Sequence, residues 1–405
     1  MKKIIPNFLH LTLILMGCQS NVPKFDEDHA FEYLVAQCDF GPRNPGSDGY
    51  YACLDYMIAE LDQYADEIIL QDFSYQERRY NNRYELENII ARFNPDAEFQ
   101  TVISAHWDTR PWADQEDSRR DRDQPIIGAN DGASGVAILL ELAKIMGENP
   151  PPIGVNLVFF DGEDLGVPGE NSTYCQGSRY FAKNLPIPRP DEAINLDMVG
   201  RMNPDTKSLT VGGTGTGVGL SDFLKTNSQN SDLNLIFSSE GYGPSDHSSF
   251  YVEDIPVLFF FSGSHQDYHT PEDDSDKINY AGLKNISEIV YNVVFDVANR
   301  SDNFVFQEAG TKEQSGGRRR FKVTLGILPD YTYHESPGLR VDGVLDGRPA
   351  KKAGMKKGDI ITAIDDEIVG DIYDYMYRLE KLDIGETVSV EVRRDGKKII
   401  LSVSF

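Results

Sequence analysis

Residues 101–108 read Thr101-Val102-Ile103-Ser104-Ala105-His106-Trp107-Asp108, a short apolar run that stops at a histidine and a carboxylate. Runs of this length, bounded by turn residues, are the signature of strands buried on both faces. Three more follow at Val155–Phe160, Ala193–Leu196 and Ile255–Phe261. Between the first two, Ala133 to Met146 places Val136, Leu139, Leu140 and Ala143 at helical spacing. The alternation predicts an α/β domain with a mostly parallel central sheet flanked by helices. In such sheets functional groups gather beyond the carboxyl ends of the strands.

Those ends are chemically loaded. His106 and Asp108 follow the first run, Glu163 and Asp164 the second, and Asp197 the third, while His269 lies past the fourth. Asp131 sits in the turn Gly128-Ala129-Asn130-Asp131-Gly132, just before the helix. Histidines and carboxylates in this mixture suit Zn²⁺. Singly, each has a plainer reading. Asp131 could be a helix N-cap, His106 and His269 ordinary core or surface histidines, and Glu163-Asp164 a solvated turn in a chain with 65 acidic residues. Asp197 is harder to dismiss, because a carboxylate between Leu196 and Met198-Val199 needs a partner. Their joint placement at strand ends favours one metal-binding pocket.

The segments Ala105–Asp108, Gly128–Gly135, Phe160–Asp164, Asn195–Gly200, Ser245-Asp246-His247 and Tyr268-His269 occur in order across roughly residues 30–300. Together they resemble the zinc exopeptidases that include bacterial leucyl aminopeptidases and their relatives, the glutaminyl cyclases. The resemblance implies that Asp131 bridges two Zn²⁺, with Asp164 and His269 on one and His106 and Asp197 on the other. It further implies Glu163 as general base, Asp108 steadying the His106 ring, and Asp246 or His247 lining the pocket or supporting ligands. Two such ions, about 3.5–4 Å apart, polarise a scissile carbonyl and lower the pKa of a water toward about 7. Glu163 then carries the proton to the leaving amine, and the free N-terminus of a peptide or protein is held at a metal. The family's acidic pair is more often Glu-Glu. Asp164 is one methylene shorter, so its metal must lie closer to the backbone or take one oxygen.

A second reading comes from His106 through Thr109, Arg110, Trp112 and Asp114 to Gln115, which looks more like the bacterial glutaminyl cyclases. Those use one zinc, with Glu163 and Asp246 relaying protons, to form N-terminal pyroglutamate. Similar cyclases carry a Trp before the last metal His and another after the acidic pair; here stand Tyr268 and the Trp-free stretch Leu165 to Phe181. Residues Gly213–Gly217, Gly241–His247 and the C-terminal region instead resemble exported aminopeptidases with an added PDZ domain. Hydrolysis is the favoured expectation, cyclisation the alternative, and an inactive peptide-binding relative the third.

At 405 residues the chain exceeds one ordinary core, so two domains are expected. Residues 310–405 hold 17 Lys+Arg against 16 Asp+Glu, so the net charge of −26 belongs to the front part. That charge repels phosphate and excludes nucleic acid as a natural partner. A polar stretch over Gln307–Arg320 reads as a linker, giving a catalytic domain over 26–305, a linker over 306–320 and a small β-rich domain over 321–405. The last resembles a PDZ domain: Thr324-Leu325-Gly326-Ile327 matches the loop that receives a peptide's terminal carboxylate, by strand addition. The plainer alternative is that it only packs against the catalytic domain and shapes the cleft.

Lys2, Lys3 and the apolar run from Ile4 to Met16 read as a signal peptide over 1–17. Leu15-Met16-Gly17-Cys18 resembles a bacterial lipobox, which implies a lipidated Cys18, a tether over 18–25 and attachment to a membrane through lipid alone, on the periplasmic or cell-surface side. Cys38, Cys53 and Cys175 remain, and an odd number permits at most one bridge, with Cys38 and Cys53 the closer pair.

Overall fold

A computed structural model of the chain describes residues 24–77, 81–115, 122–167, 171–229, 231–300, 302–312, 322–330, 333, 337–345, 347–370 and 372–405. The first part runs α1 (Glu27–Asp39), α2 (Asp48–Leu61), β1 (Glu67–Gln76), β2 (Arg83–Phe93), β3 (Gln100–His106), α3 (Ser134–Glu148), β4 (Gly154–Phe160) and α4 (Gln176–Lys183). It continues through β5 (Glu192–Leu196), β6 (Ser208–Gly212), α5 (Leu220–Asn227), β7 (Asn234–Phe237), α6 (His247–Val252), β8 (Val257–Phe261) and α7 (Tyr280–Ala298). The eight strands form one sheet in the order β1-β2-β4-β3-β5-β8-β6-β7. Its centre, β4-β3-β5-β8, is parallel throughout, as the four apolar runs predict. The β1–β2 pair, its junction to β4 and the β6–β8 junction are antiparallel.

Every residue of β3 and β4 is buried, because helices cover both faces. Ile103 and Ala105 point into the layer with α1, α2, α3 and α7, whereas Val102 faces the opposite layer with Phe181 of α4 and Phe250 of α6. Helix α3 lies under so many neighbours that Ile138 and Leu142 are buried along with Val136, Leu139, Leu140 and Ala143. Its apolar face is therefore wider than one helical stripe. Among the described residues no helix is long and apolar enough to cross a membrane.

The second part forms a separate core. It comprises β9 (Ile327–Pro329), β10 (Leu339–Val344), α8 (Pro349–Lys352), β11 (Ile360–Ile364), β12 (Glu367–Ile368), α9 (Ile372–Glu380), β13 (Thr387–Arg394) and β14 (Lys397–Ser404). Its antiparallel sheet has the order β14-β13-β11-β10-β9, with β12 on β11. A small β-rich unit is what the C-terminal sequence predicts.

The suggested bridge between Cys38 and Cys53 does not form, and Cys175 is free as well. All three thiols are buried, and burial above all pushes Cys38 to about 12 and Cys53 to about 11. Cys38 closes α1 and Cys53 lies within α2, each packed among apolar side chains of the core. Cys18 lies outside the described residues.

One buried carboxylate sits far from any ligand set. Burial first, then Asp191, lifts Glu192 at the start of β5 to about 7. The folded chain therefore holds this proton more tightly than the unfolded chain does. The resulting cost is absent below about pH 4.5, grows as pH rises, and is complete above pH 7, at about 3 kcal/mol. Glu192→Gln is expected to raise unfolding stability by about 2–3 kcal/mol at pH 8 and to change it little at pH 4. Denaturant titrations at the two pH values check this.

Candidate metal centre

The chain turns back on itself after β3 to build the pocket. Arg43, fully buried, donates from Nε to the Trp107 carbonyl at 3.2 Å, from Nη1 to that of Ile127 at 2.8 Å and from Nη2 to that of Gly128 at 3.0 Å. One guanidinium thus ties the exit of β3 to the turn that carries Asp131. Gly128 has φ +64°, and a Cβ there would lie 2.1 Å from the Asp131 carbonyl oxygen. At Gly132 a Cβ would lie 2.6 Å from His106 Nε2. Larger residues would push the turn off the histidine.

Asp131 is not an N-cap. Its backbone is non-helical within the turn that precedes α3, and α3 has no side-chain cap. Its two oxygens face different histidines: Oδ1 lies 3.1 Å from His106 Nε2, and Oδ2 lies 3.5 Å from His269 Nε2. His106 Nε2 is also 3.4 Å from Asp197 Oδ1, and His269 Nε2 is 3.4 Å from Asp164 Oδ1. Two sets result, His106–Asp131–Asp197 and Asp131–Asp164–His269, each with its ligand atoms within 4.8 Å of one another and all residues buried.

The atoms that converge are not bonded to each other. His106 Nε2, Asp164 Oδ2 and Asp197 Oδ1 are buried with no hydrogen-bond partner. Orphaned donors and acceptors in a pocket crowded with carboxylates are costly unless a cation is present. The donor set of two imidazoles and three carboxylates fits Zn²⁺. Burial works to lower the His106 imidazole, but Asp108, Asp131 and Asp197 outweigh it and hold the ring well above its ordinary value. Burial works to raise Asp131, but the nearby His106 and His269 imidazoles outweigh it and hold its carboxyl far below the usual carboxylate range.

A second layer fixes these groups. Asp273 accepts from Asn130 N–H and Asp131 N–H at 3.1 Å each. Asn130 Oδ1 accepts from Gly200 N–H at 2.7 Å. Asp197 Oδ2 accepts from Ser245 Oγ at 2.8 Å, and Ser245 in turn accepts from Asn195, which accepts from Ser104. Asp108 accepts the backbone N–H groups of Glu163 and Asp164, at 3.1 and 3.2 Å. Its backbone carbonyl, 3.2 Å from His106 Nδ1, orients the ring more closely than its carboxylate at 3.5 Å. Fully buried Arg110 donates from Nη1 to Asp164 Oδ1 at 2.8 Å and from Nε to Asp114 Oδ1 at 2.7 Å. Asp114 Oδ1 also lies 2.9 Å from His269 Nδ1. Arg110 therefore seats two members of one ligand set, while Asp164 Oδ2 has no hydrogen-bond partner. The sequence singles out Arg110 and Asp114 only as part of a family-like stretch. Asp273, in the run Glu272-Asp273-Asp274, is not singled out by the sequence.

Glu163 is buried beside the ligands, and its Oε1 accepts from Cys175 Sγ at 3.1 Å. Burial pushes its carboxyl well up; His106 opposes this, while Asp246, Asp197 and Asp164 add to it. Asp246 is fully buried and lifted to about 7, mainly by burial, against the pull of Ser178 and His106. Neither of its oxygens has a partner in hydrogen-bond geometry. His247 is stacked on Phe259 at 4.3 Å and pushed down to about 3 by burial, so it is a neutral core residue. The Tyr268 ring lies on the His269 ring, 3.7 Å between centroids.

Leu325, Gly326 and Ile327 lie apart from these ligands, in the second unit. Gly326 has φ +70°, and its N–H donates to Thr324 Oγ1 at 3.1 Å. The Leu325 and Gly326 carbonyls accept from Ala350 and Leu345 N–H.

Comparison with known proteins follows the same division. A glutaminyl-peptide cyclotransferase of Bothrops jararaca is 26% identical over 331 residues, covering 73% of this chain and 86% of its own. The solved glutaminyl cyclase of Bacteroides thetaiotaomicron, bound to N-acetylhistamine, superposes with a TM-score of 0.62 at 27% identity, over 68% of this chain and 99% of that one. A leucine aminopeptidase precursor from the same species gives 0.62 at 28% identity, with the same coverage. The sequence model for the PDZ domain matches residues 320–405. That for peptidase family M28 matches residues 88–294, the stretch that supplies all five candidate ligands, and the protein belongs to that family of zinc-dependent enzymes.

Proposed function

We propose that the protein is a zinc-dependent aminopeptidase that removes N-terminal residues from peptides. The observation that carries this reading is the double use of Asp131, whose oxygens face two complete ligand sets. A one-zinc reaction has no need of the second set. His106, Asp131 and Asp197 would hold one ion, and Asp131, Asp164 and His269 the other. Zinc bound there polarises a carbonyl and lowers the pKa of a water toward about 7. Burial raises the Glu163 carboxyl, and positive charge held by the ligand sets would lower it again. That charge would favour the carboxylate form that a general base requires. Braced at Oε1 by Cys175, it takes the proton of the attacking water and returns it to the departing amine. Asp108 holds the Glu163 and Asp164 backbone in place while this happens.

One observation favours cyclisation instead. Asp246 is buried near Glu163 with both oxygens unbonded, as a carboxyl pair relaying protons would be. The relatives include both chemistries and do not discriminate. Purified protein is therefore to be given an aminoacyl-p-nitroanilide and a Gln-initiated peptide, alongside a zinc count. Two zinc ions with amino acid release support the peptidase. One zinc with pyroglutamate and ammonia replaces it by the cyclase, and no zinc with no turnover leaves only a peptide-binding relative.

The second layer yields its own expectation. Asp114→Asn removes the charge that His269 Nδ1 and Arg110 Nε share, so zinc affinity is expected to fall about 10–100-fold. Competition with a chelating dye measures it.

The domain boundaries read from the sequence, 26–305 and 321–405 joined by 306–320, and the lipid anchor at Cys18 belong to the same proposal. Labelled palmitate incorporated into the full chain and absent from Cys18→Ser supports the anchor; equal labelling of both removes it.

A further inference from the structure

The turn that carries Asp131 lies between two buried charges of opposite sign. On one side the Arg43 guanidinium donates to the Ile127 and Gly128 carbonyls, and also to those of Trp107 and, at 3.4 Å, Gln37. On the other side Asp273, fully buried like Arg43, receives three successive amides of the turn. Ala129 N–H donates to its backbone carbonyl at 3.0 Å, and Asn130 and Asp131 N–H donate to its carboxylate. Successive N–H groups that converge in this way make a concave seat for an anion. The peptide units of residues 127–131 thus present carbonyls to a cation and amides to an anion, each in the direction its dipole favours.

Among the described residues neither charge bonds to a side chain of opposite sign, and all the hydrogen bonds of both side chains go to backbone. Taking an ion out of water costs several kcal/mol, which here only well-aimed backbone dipoles offset. The two charges and the shape of the turn therefore specify one another. Arg43 is itself held in place: its N–H donates to Thr109 Oγ1 at 2.8 Å, and its carbonyl accepts from Thr109 N–H at 3.4 Å. The Thr109 methyl closes over Gly128, where a Cβ would stand 2.6 Å from it. Arg43 lies between α1 and α2, ahead of the residues 88–294 that the M28 model matches. A segment outside that stretch thus reaches the turn of the shared ligand.

We propose that Arg43 and Asp273 are positioning residues of the metal centre and act as one clamp, which sets the Asp131 turn by protein groups alone and so aims both Asp131 oxygens independently of any ion. The proposal rests on the reading of Asp131 as a ligand common to both sets and holds for either chemistry. Because Asp131 belongs to both sets, loosening its turn weakens both. Asp114, by contrast, touches only the set that contains His269.

Zinc titration of the full chain against a chelating dye, resolved into its two steps, tests the clamp. Asp273→Asn keeps the shape but sets an uncharged amide against the turn, and is expected to weaken both steps about 10–100-fold. Arg43→Gln does the same, and Arg43→Lys, which keeps the charge without the fork, restores part of the loss. Asp114→Asn weakens one step. Since both groups grip one turn, the double variant Arg43→Gln with Asp273→Asn loses about as much as the worse single variant rather than the product of the two. Wild-type affinity in an Asp273→Asn variant of normal Tm, a loss confined to one step, or a multiplicative double loss overturns the proposal. Hydrogen exchange on metal-stripped protein gives a readout that needs no zinc. The Asn130 and Asp131 amides are expected to be protected in the wild-type chain and to exchange on the order of tenfold faster in Asp273→Asn. Unprotected amides in the wild-type chain overturn the clamp even if a variant fails to fold. If the protein binds no zinc, the metal reading fails, and the exchange result still decides whether these two groups hold the turn.

Discussion

Replacing Glu163 by Gln is expected to lower kcat by about 10²–10⁴-fold while zinc content stays at the wild-type value. The amide keeps the shape of the side chain and leaves the Cys175 contact a partner, but it has no basic oxygen for the water's proton. Because Glu163 is in neither ligand set, metal retention is the discriminating half of the result. Loss of zinc together with activity would make Glu163 a ligand, and near-normal turnover would move the base to another group. The loss belongs in kcat more than in KM, since a group that acts on the proton in flight contributes little to holding the substrate.

Asp131→Asn is expected to cost more, because it disables both ligand sets at once. An amide presents a nitrogen in place of one oxygen and carries no charge, so whichever way it turns, one histidine loses its carboxylate. Zinc content is expected to fall toward zero, and activity with it. Asp164→Asn should spare the set formed by His106, Asp131 and Asp197, and retain part of the metal. A thermal scan reads the same difference. Free zinc at about 100 times its Kd stabilises the wild-type fold by about 2.7 kcal/mol, and Asp131→Asn should show no such rise. A zinc-dependent shift that persisted in this variant would place the metal elsewhere.

The sheet's centre is legible in the sequence because β3 and β4 are buried along their whole length and therefore read as unbroken apolar runs. The β1–β2 pair is not. β1 lies at the sheet's edge with alternating exposure, and Glu67, Gln71, Asp72 and Gln76 dilute its apolar signal. His106, Asp164 and Asp197 stand out because they lie at or just past strand ends, and Asp131 because it stands in the glycine-bounded turn before α3. Arg110, Asp114 and Asp273 do not, since nothing local marks them. Arg110 matters through Asp164, 54 positions away, and Asp273 through a turn 142 positions upstream. Such roles exist only once the loops are assembled. The suggested cysteine pairing fails for a related reason: closeness in sequence says nothing about which way two helical side chains point.

Those unpaired thiols bear on how the chain matures. With Cys38, Cys53 and Cys175 sequestered and unlinked, no covalent staple has to be laid down before the interior closes. Cohesion comes from apolar packing and buried hydrogen bonds without a disulfide among these three cysteines, so reductant should leave the melting curve where it was. The polypeptide can reach its final shape in a reducing or an oxidising milieu without an oxidoreductase to escort it.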